Sequence, residues 1–338
     1  MNLKEFAARI DLSVATVSRA LNGHPIVKPE TRDFIVAEAA RLNYTPSSAA
    51  RRLATGKSGA FALFLELENN LMREALFREF LVGLFDELSR SQSDLIIKPT
   101  RAGDLADYVS FFHAGRVDGF VLPKPAVHDA RIEHLEKNSI PFVVYGPAPA
   151  GATYSYLTVD NGAAIRDLAS LLLDLGHRRI AFLNDDPSYA FASERATSFE
   201  NTLRARDLSV GSGYLTSTRM DERNGYQIVR SLLERSDGPT AVICGNVLLA
   251  EGAYRAIEDL GLKVGRDVSV VAHDDVDADV PADRFRPGLT ATEASLAITG
   301  VKVADFLVRL SAGEKPQNLQ EIIAPRLIYR ASAAPPPQ

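Results

Sequence analysis

Through the first 45 residues, apolar side chains recur at helical spacing in three short blocks. Leu3, Phe6, Ala7 and Ile10 fall at i, i+3, i+4 and i+7, which predicts a helix from about Leu3 to Arg9. Ser13 is a good N-cap for a second helix carrying Val14, Val17 and Leu21 on one stripe and closed by Asn22-Gly23. A third begins near Pro29-Glu30, with proline in a favoured early position, and runs to Leu42 with Phe34, Ile35 and Ala39 inward. A head of this size, residues 1–45, has a small core and is expected to be marginally stable alone. Pro46 ends the third helix, and Gly56 and Gly59 mark a linker over residues 46–59. The run between them is too short to be a stable isolated helix in water and needs a partner to pack on.

From Ala60 the pattern changes to apolar runs of strand length alternating with longer amphipathic stretches. Strands are expected at Phe61–Leu65, Leu95–Ile97, Gly119–Leu122, Phe142–Val144, Ile180–Leu183, Ala241–Cys244 and Val268–Ala272. Helices fall between them, as in Ala75–Leu88, Asn161–Leu175, Ser193–Arg206 and Leu248–Leu260. Such alternation predicts parallel sheets with helices on both faces, and the length of residues 60–332 favours two lobes over one. The tail 333–338, with three consecutive prolines, is expected to be disordered.

Charge sharpens this division. The net charge of −5 conceals nine Lys/Arg against five Asp/Glu in residues 1–60, and 29 against 38 in the remainder. A basic head on an acidic body suits a polyanion-binding module joined to a part that stays off DNA. The single cysteine, Cys244, excludes an internal disulfide framework and fits a reducing compartment. The start MNLKEFAARIDLS lacks the apolar core of a secretory signal, and no apolar run is long enough to span a membrane, so the cytoplasm is expected.

The second helix carries the most specific chemistry. A helix entering the major groove needs small or polar side chains at its N-terminal end, where Val14 and Ala15 stand. Ser13, Thr16 and Ser18 offer hydroxyls to phosphates, and Arg19, about one turn beyond Ala15, can reach guanine or phosphate. Periodicity alone favours a generic capped amphipathic helix.

These residues resemble the head of the LacI family of repressors. Leu12-Ser13, Thr16-Val17-Ser18-Arg19 and Leu21-Asn22 match the family's V-S-x-x-T-V-S-R-x-L-N, followed by Pro29-Glu30-Thr31-Arg32 and Asn43-Tyr44-Thr45-Pro46. The match is collinear over the first 60 residues. Asp11 stands where the family usually has glycine in the turn; Asp is among the residues that adopt left-handed conformations. The resemblance places Val14 and Ala15 at the main base-reading positions, where apolar side chains favour thymine methyl contacts, and adds Asn22 to the DNA-contacting set. It also implies that the linker becomes a hinge helix on DNA. Two copies would then pack through Ala49, Ala50 and Ala54, Leu53 would wedge into the minor groove, and Arg51 and Arg52 would meet phosphates.

Beyond the head, Arg116-Val117-Asp118-Gly119, Val159-Asp160-Asn161, Leu175-Gly176-His177-Arg178-Arg179-Ile180 and Leu289-Thr290-Ala291-Thr292 resemble the same family to about residue 330. The implied fold is an N-terminal all-α helix-turn-helix head plus an α/β periplasmic-binding-protein-like core of two doubly wound parallel-sheet lobes. The first lobe would comprise about 60–158 and 290–322, the second about 159–289 and 323–332. Ligand would bind between the lobes at the carboxyl ends of the strands. The resemblance implies effector contacts from Arg195, Asn246 and Asp274, with Phe191, Met220 and Pro123 at lining positions. Val247 and His273 depart from the family pattern beside Asn246 and Asp274, and the loop from Glu66 to Leu76, which in the family closes one side of the pocket, is about four residues longer, with Ala75-Leu76-Phe77 where N-P-F-F is common, leaving open whether a mono- or a disaccharide binds.

No metal-binding, phosphate-loop or nucleophile-elbow motif occurs, so no cofactor, no metal and no catalytic residue is expected. The expected protein is a sequence-specific repressor of carbohydrate-utilisation genes, localised in the cytoplasm at the bacterial nucleoid. Its partners would be double-stranded operator DNA, a small sugar effector and a second copy of itself, as a homodimer or a tetramer. A regulator activated by a corepressor, a solute-binding protein for transport and an α/β enzyme with an accessory head are the alternatives.

Overall fold

The computed structural model describes residues 1–21, 26–44, 56–66, 75–101, 103–274 and 280–337, with the side chains of 75, 76 and 274 outside that description. It divides into two compact units, Met1–Ala60 with Phe111–Asp118, and Phe61–Ser110 with Gly119–Gln338.

In the first unit, three helices, α1 (Leu3–Arg9), α2 (Val14–Leu21) and α3 (Pro29–Arg41), follow the sequence periodicity. Asn2 and Glu5 form a reciprocal capping box at α1, the Asn2 side chain accepting from the Glu5 amide at 2.9 Å. Asp11 takes φ +54° in the turn, so the aspartate substitutes for glycine there. Phe6, Val17 and Ile35, fully buried, form the centre of the core with Ala7, Ala20 and Ala39. The Phe6 ring stacks on Tyr44 with centroids 4.4 Å apart. Phe34, expected inward, is instead 49 % exposed. Ile35 and Ala39, four residues apart, occupy the buried stripe, and Phe34 lies about 100° around the helix from Ile35. Further along, Asp118 accepts from the Ser58 and Gly59 amides at 2.7 and 2.8 Å, fixing the end of the linker region.

From Ala60 onward the order is β1 (Ala60–Glu66), α4 (Ala75–Arg90), β2 (Asp94–Thr100), α5 (Ala106–His113), β3 (Gly119–Pro123), α6 (Ala130–Lys137), β4 (Phe142–Tyr145) and β5 (Ser155–Val159). Then come α7 (Asn161–Asp174), β6 (Ile180–Asn184), α8 (Ala190–Arg204), β7 (Leu215–Ser217), α9 (Glu222–Leu233), β8 (Ala241–Cys244), α10 (Val247–Asp259) and β9 (Ser269–Asp274). The chain closes with β10 (Thr290–Glu293), α11 (Leu296–Ser311), β11 (Gln320–Ile323) and β12 (Arg326–Ile328).

Two six-stranded sheets result, β11-β5-β4-β3-β1-β2 and β12-β10-β9-β8-β6-β7. Their central strands pair in parallel; β12 runs antiparallel to β10. Every residue of β3 and β8 is buried, as a strand covered on both faces requires, which is why these read as unbroken apolar runs. The chain passes between the sheets three times, after β5, β10 and β11. The sequence reading put residues 290–322 in the first lobe. The structure corrects this: β10 pairs with β9 and β12 in the second sheet, so the return to the first lobe comes after Glu293. An apolar strand motif does not reveal which of two sheets it joins.

Within each lobe a helix pair meets backbone to backbone. A Cβ at Gly83 would overlap the Ala297 carbonyl, and one at Gly300 that of Phe80, so α4 and α11 approach only because both positions lack side chains. Gly225 and Gly252 do the same for α9 and α10.

The expected disorder of the tail is also corrected, for residues up to 337. Ala333 is buried, and the Ala334 carbonyl accepts from Nε2 of buried His177 at 2.8 Å and from the Ser269 hydroxyl at 3.0 Å. A carbonyl only accepts, so Nε2 carries the ring proton and Nδ1 accepts from the Thr240 hydroxyl at 2.9 Å. Burial holds the His177 imidazolium below its ordinary range, partly opposed by the Ala334 carbonyl. The unfolded chain therefore takes up a proton that the folded chain resists. This contribution to stability is present above the unfolded pKa of about 6.5 and declines as pH falls below it. Urea midpoints are expected to be lower at acidic than at neutral pH, with His177→Gln flattening part of that dependence. An unchanged slope in the variant would refute the assignment.

Candidate functional site

Two surfaces carry the chemistry. In the head, helix geometry divides α2 into two faces. Val17 and Ala20 point into the core, whereas Val14, 41 % exposed, and exposed Ala15 and Arg19 point to solvent. The Ser13 hydroxyl accepts from the Thr16 amide at 3.0 Å and lies 2.8 Å from the Thr16 hydroxyl. Ser13 is thus a cap first, and it fixes the N-terminus of α2. Thr16 and Ser18 are half-buried at the edge of the exposed face. Asn22, Arg51, Arg52 and Leu53 lie outside the described residues.

The second surface is a cavity of about 120 Å³ between the two sheets of the core. The first lobe contributes the carboxyl ends of β3, β4 and β5 at Pro123, Tyr145 and Thr158. Phe80 of α4 stacks on Tyr145 with centroids 4.8 Å apart and forms a flat apolar wall. The second lobe contributes Asn161, Phe191, Arg195, Met220 and His273. Parallel strands all end on the same side, so their last residues converge there, the usual ligand position in such folds.

Arg195 is buried at 5 % exposure and fixed in place. Its Nε donates to Asn161 Oδ1 at 2.8 Å and its Nη1 to the Gly245 carbonyl at 2.9 Å, with the guanidinium 5.0 Å from the Phe191 ring centroid. Asn161 in turn donates through Nδ2 to the Val159 carbonyl at 2.9 Å. The result is an oriented, planar donor beside an aromatic face, the chemistry that suits hydroxyl groups on a ring with apolar C–H faces. His273 Nδ1 pairs with the Thr292 hydroxyl at 3.0 Å.

Of the residues expected at the effector, Arg195, Phe191, Met220 and Pro123 come together around this cavity. Asn246 does not line it. Its Oδ1 caps α10 at the Leu249 amide, 2.9 Å, and its Nδ2 donates to the Met220 carbonyl at 3.0 Å, so it holds the wall from behind. The backbone of Asp274 ends β9, next to His273, and its side chain lies outside the described residues.

The sequence reading missed Lys124. Directly after β3, in the left-handed region at φ +52°, it forms an ion pair across the lobes with Asp185 at 2.9 Å. Its ammonium also lies 4.5 Å from the Tyr189 ring centroid. Alongside, the Ala190 amide donates to the Pro125 carbonyl and the Val127 amide to that of Ser188, each at 2.9 Å. This two-stranded clasp holds the lobes together at one edge of the cavity. No local pattern marks it, because its partners lie in the other lobe.

A helix-turn-helix whose second helix has an exposed face, followed by a two-lobed α/β core with a cavity at the strand ends, defines a DNA-binding transcriptional regulator with a periplasmic-binding-protein-like core. Residues 2–47 match the bacterial regulatory proteins of the lacI family, and residues 169–333 match the periplasmic binding protein-like domain. The chain is 36 % identical to the HTH-type transcriptional regulator AglR of Rhizobium meliloti, over 100 % of this chain and 95 % of that one. It is 30 % identical to the HTH-type transcriptional regulator RafR of Escherichia coli, over 95 % of each. The protein belongs to the LacI family. In fold it is similar to the lac repressor dimer bound to operator and the anti-inducer ONPF, with a TM-score of 0.80 at 23 % identity over 99 % of both chains. It is likewise similar to a complex of the transcriptional regulator CelR with cellobiose, TM-score 0.69 at 24 % identity over 98 % of this chain and 99 % of that one.

Proposed function

We propose that the protein is a homodimeric repressor of carbohydrate-utilisation genes that leaves a near-palindromic operator when a sugar enters the core cavity. The observation that carries this is the oriented Arg195–Asn161 pair beside Phe191 in that cavity. The solved relative that holds cellobiose supports the same reading. Val14, Ala15 and Arg19 read base edges, and Ser13, Thr16 and Ser18 position the helix on phosphates, with Asn22 completing the contact. Arg51 and Arg52 neutralise phosphates and Leu53 wedges the minor groove. Arg195, Phe191, Met220 and Pro123 contact the effector, with Asp274 from the end of β9; Asn246 supports them. The protein acts by binding, without catalysis or a cofactor, in the bacterial cytoplasm at the nucleoid. Among the described residues no helix is long and apolar enough to cross a membrane.

Fluorescence anisotropy on a palindromic DNA pool, with and without a panel of sugars, tests this. Specific binding is expected to weaken steeply with salt, by about 10³-fold or more between 50 and 200 mM if at least six phosphates are contacted. A sugar should lower the affinity further, by a coupling of about 1–3 kcal/mol. Failure to bind DNA under every condition would reject the regulator, and a sugar that tightens binding would reverse the sign of control.

A further inference from the structure

Beside the cavity just described lies a second chamber of about 210 Å³, and the two share Pro123 and Lys124 as a common wall. Neither alone reaches the ~300–1,000 Å³ of ordinary small-molecule sites, whereas together they reach its lower end. The second chamber, like the first, combines aromatic and fixed polar side chains, but it is the more charged of the two, with Glu66 and Asp129 in its lining. Phe64 and Tyr189 supply aromatic surface, and Arg131 and Asp129 supply a fixed polar pair.

That pair is built into the fold. Arg131 Nε and Nη2 donate to the two Asp129 oxygens at 2.9 and 2.6 Å, and the two side chains are 16 % and 5 % exposed. Asp129 also accepts from the Ala126 amide at 3.1 Å and the Arg131 amide at 3.0 Å, capping α6 and setting the loop after β3. Each chamber therefore presents an arginine whose plane is fixed by hydrogen bonds and has aromatic side chains in its lining, Phe191 in the first and Phe64 and Tyr189 in the second. Between them stands the Lys124 ammonium, held by Asp185 and the Tyr189 ring.

Resting on the sugar-responsive reading above, we infer that the effector is a disaccharide, one ring in each chamber, with Lys124 at the linkage between them. A fixed guanidinium together with aromatic surface in each of two adjoining chambers matches two polyhydroxyl rings in sequence, and a single ring would fill only one of the two.

The test is calorimetric titration of the full-length protein with glucose, galactose and fructose, and with maltose, trehalose, cellobiose, melibiose and sucrose. At least one disaccharide should bind about tenfold or more tighter than either of its component monosaccharides, as a second ring adds contacts at little further cost in rotational freedom. Ala130, exposed at the start of α6 and lining only the second chamber, permits a selective block. Ala130→Trp should reduce disaccharide affinity to that of the component monosaccharide without changing monosaccharide binding or the melting temperature. A monosaccharide that binds as tightly as every disaccharide and releases the operator would overturn the two-ring inference while leaving the repressor reading intact. Wild-type disaccharide affinity in Ala130→Trp would overturn it equally. Binding of no saccharide at all would remove the sugar-responsive reading and this inference with it.

Discussion

Phe6→Ala is expected to abolish operator binding while leaving ligand binding by the core unchanged. Phe6 has no exposed surface, and its ring stacks 4.4 Å from Tyr44 at the centre of a core made by only three short helices. Truncating a buried phenylalanine costs about 3–5 kcal/mol. A core of this size rarely supplies more than about 3–5 kcal/mol in total. The substitution therefore consumes the whole stability of the head, and an unfolded head cannot present α2 to a groove. Proteolysis should show a protected core and a degraded head, and anisotropy should lose the sequence-specific component. Phe34→Ala is the matched control: Phe34 is 49 % exposed, and its removal should shift stability by no more than about 0.5 kcal/mol. Operator affinity within tenfold of wild type in Phe6→Ala would show that the head draws its stability from elsewhere.

The second large effect is on response. Arg195→Ala should yield a protein that binds operator normally and is no longer released by the saccharide that releases the wild type. Its affinity for that saccharide should fall about 100-fold or more, equivalent to roughly 2.7 kcal/mol. The loss exceeds a single contact because Asn161 Oδ1 and the Gly245 carbonyl also lose their donor, leaving buried acceptors to rearrange into the binding space. Each buried acceptor left without a partner costs about 1–3 kcal/mol, so the melting temperature should fall as well. Arg195→Lys separates charge from geometry. A lysine retains the charge but lacks the planar fork that reaches Asn161 and Gly245 together, so it should recover little of the response. Release of Arg195→Ala by the same sugar at the wild-type concentration would remove Arg195 from the effector site.

Mutating the second surface does not repeat the first. A head variant loses DNA and keeps ligand, and a cavity variant keeps DNA and loses the response, so the two substitutions separate reading from control within one chain.

The sequence was most legible where the physics is local. Three helices of the head followed from spacing at three and four residues, the Ser13 cap from one hydroxyl within reach of an amide, and the left-handed turn from the tolerance of Asp11 for that conformation. Among the central strands β3 and β8 were equally plain, because burial on both faces demands unbroken apolar runs, whereas the internal strands β5 and β10, with Ser155, Thr158, Thr290 and Thr292 among their residues, were not read as strands. The edge strands β7, β11 and β12 were not, being three or four residues long with no fully buried position, which leaves little periodic signal. Phe34 was misplaced because a one-residue step around a helix separates the core from solvent, and an aromatic residue at the margin of a stripe does not reveal its side. The tail was misjudged on composition. Its prolines suggest disorder, yet two backbone groups at Ala334 find His177 and Ser269, which come from distant strands and loops.

The core cavity shows the same division. Arg195, Phe191, Met220 and Pro123 could be named from matching positions in the family, and the fold brings them together. Asn246 sits at the end of a strand in the same pattern, but capping α10 takes its side chain away from the cavity. Lys124 and His273 acquire their roles only from what faces them.

Composition, periodicity and short motifs by themselves determined the class of fold, the exposed face of α2 and the family, since each is written in neighbours close along the chain. The meeting of Lys124 with Asp185, the twin chambers, the lobe to which β10 belongs and the docking of the tail were decided by tertiary structure alone. Parallel strands have no tight turn to set their pairing, so their order and register come from packing across long separations in the chain.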